Sequence, residues 1–437
     1  MNMEKQDILK SKTYQKYVKK KNITQATLNT YVFALLQLCK ANNKGLDHMV
    51  AEILEEQLPY IDEHGRIHEY NPEFSKIDDY LNNTADYLRE KGNSNNSIHS
   101  ILIRIRAVMN SLNIKLPKPI ELENDEKDWN VLTKEDIKFV NSISPLNYQA
   151  LFTFMAHTGI RTGDVINKLT IESFMKATEE YHNCTELDDF LENAPDDMVG
   201  YWEFIPQKTR KHNVECKVYN TAESSNLILR SLHMRKESIR RINEKNNTSL
   251  HLEKTDALFS SRVKNFKGKL TENAVTNMCH RKNKELRKYN ERKLYQKYED
   301  GTISKDTLMV KLDEIPIFHA HGLRKFFITT LSIKRVDIRA SALLEGHSPI
   351  MQDKSYVDND KLDNLLWEEY QRIIPAISLE KDEEDFTMGK RNKELEIENL
   401  QLKEQAELLR SENSQIRNTI DRQVEDKIEE VLNRYGF

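Results

Sequence analysis

The stretch H-A-H-G-L-R-K-F-F-I-T-T-L (319–331), continued by D-I-R-A-S-A-L-L-E-G-H-S-P-I-M-Q-D-K-S-Y (337–356), decides how this chain is read. It holds a His-x-x-Arg pair (His321, Arg324), a Gly-His pair (Gly346, His347) and, nine residues beyond, Tyr356. Gly322–Lys334 reads as a helix, which puts His321 and Arg324 one turn apart on one face. Residues 337–345 read as a second helix, ended by Gly346. Arginine presents a planar fork of donors that matches phosphate oxygens, and a tyrosine hydroxyl can act as a covalent nucleophile. The pattern therefore points to phosphate chemistry. A site of that kind still needs a second arginine and an acid for the leaving group, both to be sought upstream.

The arginine is found after Y-Q-A-L-F-T-F-M-A-H (148–157), a helix apolar enough to be buried, which T-G-I-R-T-G-D-V (158–165) closes. Gly159 is the expected left-handed C-cap, and Arg161 emerges where the next helix begins. Asp164, three residues on, can stay ionised near that helix N-terminus and orient Arg161. A surface salt bridge is the plainer use of such a pair. The acid is found in a hairpin. Y-W-E-F-I-P-Q (201–207) and N-V-E-C-K-V-Y-N (213–220) alternate as strands, joined by the basic tip K-T-R-K-H (208–212). Lys208 stands at the end of the first strand, where a turn can swing its ammonium group into a neighbouring site.

Around this core the chain divides by composition. Residues 1–22 carry seven lysines against two acids and read as a basic, partly disordered arm. Helical periodicity follows at 24–40, with Thr24 as N-cap, at 73–91, ended by Gly92, and at 97–112. These make a helical domain over 23–116. The P-K-P at 117–119 and the acidic run after it form a linker, 117–130. Thr133 then caps the first helix of a larger domain, 131–377. Residues 174–200 read as an acidic insertion outside the core. Residues 280–315 read as a basic insertion in which tyrosines interleave with lysine and arginine. In the tail, Leu395, Leu402, Leu409 and Ile416 recur every seven residues, with Asn399, Ala406, Asn413 and Ile420 four after each. That register predicts a parallel two-stranded coiled coil at 395–420 within a helix over 388–434, with a phase change at Val424, Ile428 and Val431.

Composition narrows the class. The 437 residues suffice for two or three domains, and 31% are charged, as in a polar, helix-rich protein. No run of 18 apolar residues exists, so no membrane span is expected, and the start lacks the apolar core of a signal peptide. The four cysteines lack metal-ligand spacing and suit a reduced, cytoplasmic compartment. Net charge is only −4, yet residues 205–300 hold 23 Lys or Arg against 11 Asp or Glu. A basic middle between acidic segments fits a protein whose central face meets a polyanion.

Taken in order, R-T-G-D (Arg161–Asp164), Lys208 in Q-K-T-R-K, H-G-L-R (His321–Arg324), G-H-S (Gly346–Ser348) and Tyr356 resemble the tyrosine recombinases, or phage integrases. The resemblance covers about 131–376, and 24–114 is similar to that family's core-binding domain. It implies a mainly α (α+β) fold: a helical DNA-clamp domain and a catalytic domain of helices with a small hairpin, here followed by the coiled coil. His319 competes with His321, but His321 has the family's spacing to the arginine. Glu345 stands where the family has an apolar residue and reads as a minor packing departure.

The implied activity is site-specific DNA recombination in integration or excision of a mobile element. Tyr356 would attack phosphorus to give a 3′-phosphotyrosine. Arg161 and Arg324 would hold the non-bridging oxygens, Lys208 would protonate the departing 5′ oxygen, His321 would assist at the tyrosine and His347 would bond the phosphate. Asp164 would support Arg161. No cofactor and no metal is implied. The partners would be double-stranded DNA, with nucleoid association, and further copies of the chain: a tetramer on DNA and a dimer through the tail. The helix after the nucleophile, 360–374, would dock on a neighbouring subunit. A type IB-like topoisomerase, a catalytically inactive DNA-binding protein of the same fold and a plain coiled-coil scaffold are the rival readings.

Overall fold

The computed structural model describes residues 3–21, 23–61, 63–123, 130–212, 214–262, 265–347, 359–381 and 403. The expected nucleophile Tyr356 and the heptad tail lie outside the described residues. The fold class is mainly α, with short antiparallel strand pairs. Chain contacts separate Met1–Asp128 from Trp129–Phe437.

The amino-terminal unit is built from α1 (Lys5–Lys10), α2 (Lys12–Lys20), α3 (Gln25–Asn42), α4 (Leu46–Glu56), α5 (Lys76–Glu90) and α6 (Asn95–Ser111), with a two-residue pairing of β1 (Tyr60–Ile61) and β2 (Ile67–His68). Leu35, Leu38, Ile77, Leu81, Leu88, Ile98, Ile105 and Val108 share one core. Residues 3–21 form packed helices, not a disordered arm. Ser11 caps α2 through Tyr14 N, Asp47 accepts the backbone N–H groups of Lys12 and Thr13 at 2.9 and 2.8 Å, and Ile8, Tyr14 and Tyr17 join the core. With Met3, four apolar side chains were enough; the lysines are exposed and masked that pattern.

In the second unit, α7 (Lys134–Ser142) leads to α8 (Leu146–Thr158), which is buried along nearly its whole length. A helix with no polar face must be enclosed, and α8 is packed by α7, α12 (Ala222–Asn246) and α15 (Ala320–Ile333). After α8 come α9 (Thr162–Lys168), α10 (Ile171–Ala177), α11 (Leu187–Asn193), and the hairpin of β3 (Gly200–Phe204) and β4 (Cys216–Asn220). Trp202 pairs with Val218 in that hairpin, and Trp202 Nε1 donates to Asn220 Oδ1 at 2.7 Å. The stretch 174–200 is not an insertion outside the core. Phe174 stacks on Trp202 and meets Phe190 edge-on, and Trp202 in turn meets Phe154 of α8 edge-on; Leu187, Leu191 and Met198 are buried with them. The acids that dominate its composition line only the solvent side.

The basic stretch near 280–315 is a helical pair, α13 (Glu272–Glu299) and α14 (Lys305–Asp313), preceded by the short pairing of β5 (Ser260–Ser261) with β6 (Gly268–Lys269). Tyr289 stacks on Phe139 of α7 with ring centroids 4.1 Å apart, and Leu286 and Leu308 are buried. Last come α15, α16 (Ile338–Glu345) and α17 (Asn359–Ile377). The helix expected to dock on another subunit, 360–374, packs within this chain through one face. Leu366, Tyr370 and Ile373 are buried in this chain's own core, and Tyr370 Oη donates to the His157 carbonyl at 3.0 Å. Among the described residues no helix is long and apolar enough to cross a membrane.

Candidate active site

Two turns of left-handed backbone set the site's shape. Gly159 ends α8 at φ 61°, and a Cβ there would sit 2.4 Å from Phe327 Cδ1 of α15. Only glycine serves both the conformation and the close approach. The reversal brings Arg161 to the N-cap of α9. Among the described residues the half-buried guanidinium of Arg161 makes no hydrogen bond or ion pair. Gly346 ends α16 in the same way, at φ 61°, and leads directly into His347.

Arg324 projects from the second turn of α15 and is 4% exposed. Its Nη1 donates to the Gly159 carbonyl at 2.6 Å and its Nη2 to the Glu345 carbonyl at 2.7 Å. The two helix-ending residues thus hold one guanidinium through carbonyl dipoles rather than through a carboxylate at bonding distance. Burial, and after it the charge of Arg161, pull Arg324 down to about 10, still fully protonated at neutral pH. Its positive charge is left for another anion to neutralise.

Two histidines flank it. His321 lies one turn from Arg324 on the exposed side of α15. Burial lowers its pKa most, followed by the charges of Arg324, Arg161, Lys208 and Lys325. A neutral imidazole at pH 7, with cations around it, can accept a proton. His347 Nε2 is 3.4 Å from Arg324 Nη2; burial lowers its pKa first, Arg324 and Arg161 lower it further, and Glu345 opposes them. The competing His319 is used locally: it caps α15, its Nδ1 accepting the Gly322 N–H at 2.9 Å.

Lys208 lies in the exposed tip of the hairpin, within a two-turn 3-10 segment over Gln207–His212. Asp164 does not pair with Arg161. At 3% exposure its carboxylate accepts the Gln207 backbone N–H at 2.8 Å and faces Lys168 Nζ at 3.6 Å. Lys168, one turn further along α9, donates to the Ile205 carbonyl. The helix that begins at Arg161 therefore clamps the residues immediately before Lys208. The i, i+4 spacing of Asp164 and Lys168 was visible in sequence, but their target was not.

A second group was misjudged. Glu345 is no packing substitute: its carboxylate contacts His347 Nδ1 at 2.9 Å. Cys216 of β4 abuts Gly346, yet burial pushes its thiol up to about 12, so it stays protonated and is a poor nucleophile. Among the described residues no cluster of three or more His, Cys, Asp or Glu is arranged to hold a metal. The arrangement has the chemistry to hold an anion: among the described residues, two arginines without bonded carboxylates, two histidines with lowered pKa and a lysine in the adjoining hairpin tip.

No protein-family profile and no curated protein sequence matches the chain. Among solved structures it is similar to an integrase of the Tn1549 transposon in complex with transposon right end DNA, at 14% identity, 83% of this chain and 98% of that one, with a TM-score of 0.42. It is similar also to XerA recombinase, at 16% identity, 84% and 99% coverage and a TM-score of 0.29. A third is the integrase of mycobacterium phage Brujita, at 12% identity, 85% and 92% coverage and a TM-score of 0.29.

Proposed function

We propose that this protein is a site-specific DNA recombinase that cuts and rejoins DNA through a 3′-phosphotyrosine intermediate on Tyr356. The observation that carries the reading is Arg324: a buried guanidinium held by two carbonyls, with His347 3.4 Å away and within the electrostatic reach of Arg161 and His321. A scissile phosphate supplies the missing negative charge. Ordered sequence signals for a lysine and a tyrosine complete the set.

Tyr356 Oη attacks phosphorus, the P–O5′ bond breaks, and the phosphate becomes joined to the tyrosine. The tyrosine's proton leaves with help from neutral His321, and Lys208 gives a proton to the departing 5′ oxygen. Arg161 and Arg324 hold the non-bridging oxygens, where charge grows in the transition state. Attack of a 5′-hydroxyl on the phosphotyrosine reverses each step, so the covalent bond conserves the phosphodiester energy without ATP. The partners on this reading are double-stranded DNA and further copies of the chain, four on DNA, with pairs joined through residues 395–420. Equal sedimentation of the full chain and of one ending near residue 388 would remove the tail from that assembly.

Covalent trapping tests the chemistry. With nicked duplex and EDTA present, the wild type is expected to give a denaturation-resistant protein–DNA adduct and Tyr356→Phe none. An adduct that survives Tyr356→Phe sinks the choice of nucleophile. Tight DNA binding without any adduct favours a DNA-binding protein that has lost catalysis. Relaxation of plasmid without joining of two sites favours the topoisomerase reading.

A further inference from the structure

Glu345 occupies a position that helix electrostatics disfavours. The carbonyl end of a helix carries partial negative charge, so a carboxylate in the last turn is destabilising unless a cation answers it. Here its side chain is 14% exposed, with Oε2 2.9 Å from His347 Nδ1. The other oxygen, Oε1, accepts from Ser341 Oγ one turn back at 2.8 Å. The backbone carbonyl of the same residue accepts from Arg324 Nη2. One residue therefore grips both His347 and Arg324, by different atoms.

The grip decides which nitrogen His347 offers. An imidazole nitrogen facing a carboxylate carries its hydrogen, so Nδ1 is the protonated atom and Nε2 is the one turned towards Arg324. The left-handed turn at Gly346 makes this possible by folding residue 347 back beside residue 345. That turn is held against β4, where a Cβ on Gly346 would lie 3.1 Å from Cys216 Cβ.

We propose that Glu345 is a positioning residue for His347: its carboxylate fixes the Nδ1–H tautomer and supplies the negative charge that lets Nε2 bear a proton towards a phosphate oxygen between Arg324 and Arg161. The phosphate half of this statement rests on the recombinase reading; the pairing of Glu345 with His347 does not. Among the described residues, the charged groups acting on His347 come from three elements: Glu345 on α16, Arg324 on α15 and Arg161 at the start of α9. Cys216 on β4 is uncharged at neutral pH. Glu345 is the counterweight to two arginines, so its loss makes the imidazole harder to protonate.

The test uses the full chain in two variants. Glu345→Gln keeps an oxygen to accept from Nδ1 and removes only the charge, whereas Glu345→Leu removes both. One measurement is the NMR titration of the His347 imidazole in DNA-free protein, with its ¹⁵N shifts reporting the tautomer. The other is the pH profile of adduct formation on nicked duplex. In Glu345→Gln the His347 midpoint is expected to fall by about half a pH unit or more, and the alkaline limb of cleavage to move down with it. Glu345→Leu is expected to move both further and to disturb the tautomer. A midpoint and tautomer unchanged in both variants overturn the proposal, whatever the protein does to DNA. A shifted midpoint with an unmoved cleavage profile overturns the catalytic half. A shifted midpoint in protein whose wild type gives no adduct supports the pairing and sinks the recombinase reading instead.

Discussion

Arg161 and Arg324 carry the same charge and are held in opposite ways, which separates their expected phenotypes. Arg324 donates to two carbonyls in the core, so Arg324→Ala leaves two buried acceptors without donors at a cost of about 1–3 kcal/mol. Arg161 makes no bond among the described residues. Arg161→Lys should change unfolding free energy by less than about 0.5 kcal/mol while adduct formation falls by about 10²–10³-fold, because an ammonium cannot match the guanidinium fork. Thermal unfolding beside trapping assays distinguishes the two; comparable destabilisation by both would refute the assigned difference. At this scale the sequence was informative where spacing along one helix sufficed, as for His321 and Arg324. It misassigned Asp164, expected to orient Arg161 but bonded to Gln207 43 positions away, and Glu345, expected as a packing departure but buried beside His347 by way of a glycine turn.

Elements built from apolar runs and caps were readable in advance. The buried helix closed by Gly159 and the two helices ahead of Gly346 formed where periodicity and capping placed them, and the hairpin formed with shorter strands, 200–204 and 216–220. Elements whose composition is mostly charged were misread, because a few apolar side chains suffice to bury one face. At the end of α8, His157 is fully enclosed, with Nδ1 2.7 Å from Thr221 Oγ1. Burial drives its pKa from 6.5 down to about 3. The unfolded chain then binds a proton near pH 6.5 that the folded chain refuses until about 3. Its contribution to stability is therefore complete above pH 6.5 and is lost as pH falls through that window, by about 1.4 kcal/mol per pH unit. Denaturant unfolding at stepped pH should show a shallower acid loss in His157→Gln than in the wild type. Parallel curves would mean that another group carries the acid limb.

Across the whole molecule, the two contact units behave as separate cores, and the lysine-rich beginning belongs to the first of them. Ile8 is 1% exposed in that core, so Ile8→Ala should cost about 2–5 kcal/mol. A thermal transition identical to the wild type would restore the view of residues 1–22 as a detached arm. Local pattern alone determined the mainly helical class, the order of the arginines, histidines and lysine, and the glycine caps, because each depends on neighbours within a few positions. Tertiary structure alone decided the rest. Carbonyls from the ends of α8 and α16 hold Arg324, α9 clamps the loop of Lys208, α17 packs on its own chain, and Glu345 faces His347. Each of these brings together groups far apart along the chain or turned by a left-handed residue, and a linear pattern records spacing but not where a turn points.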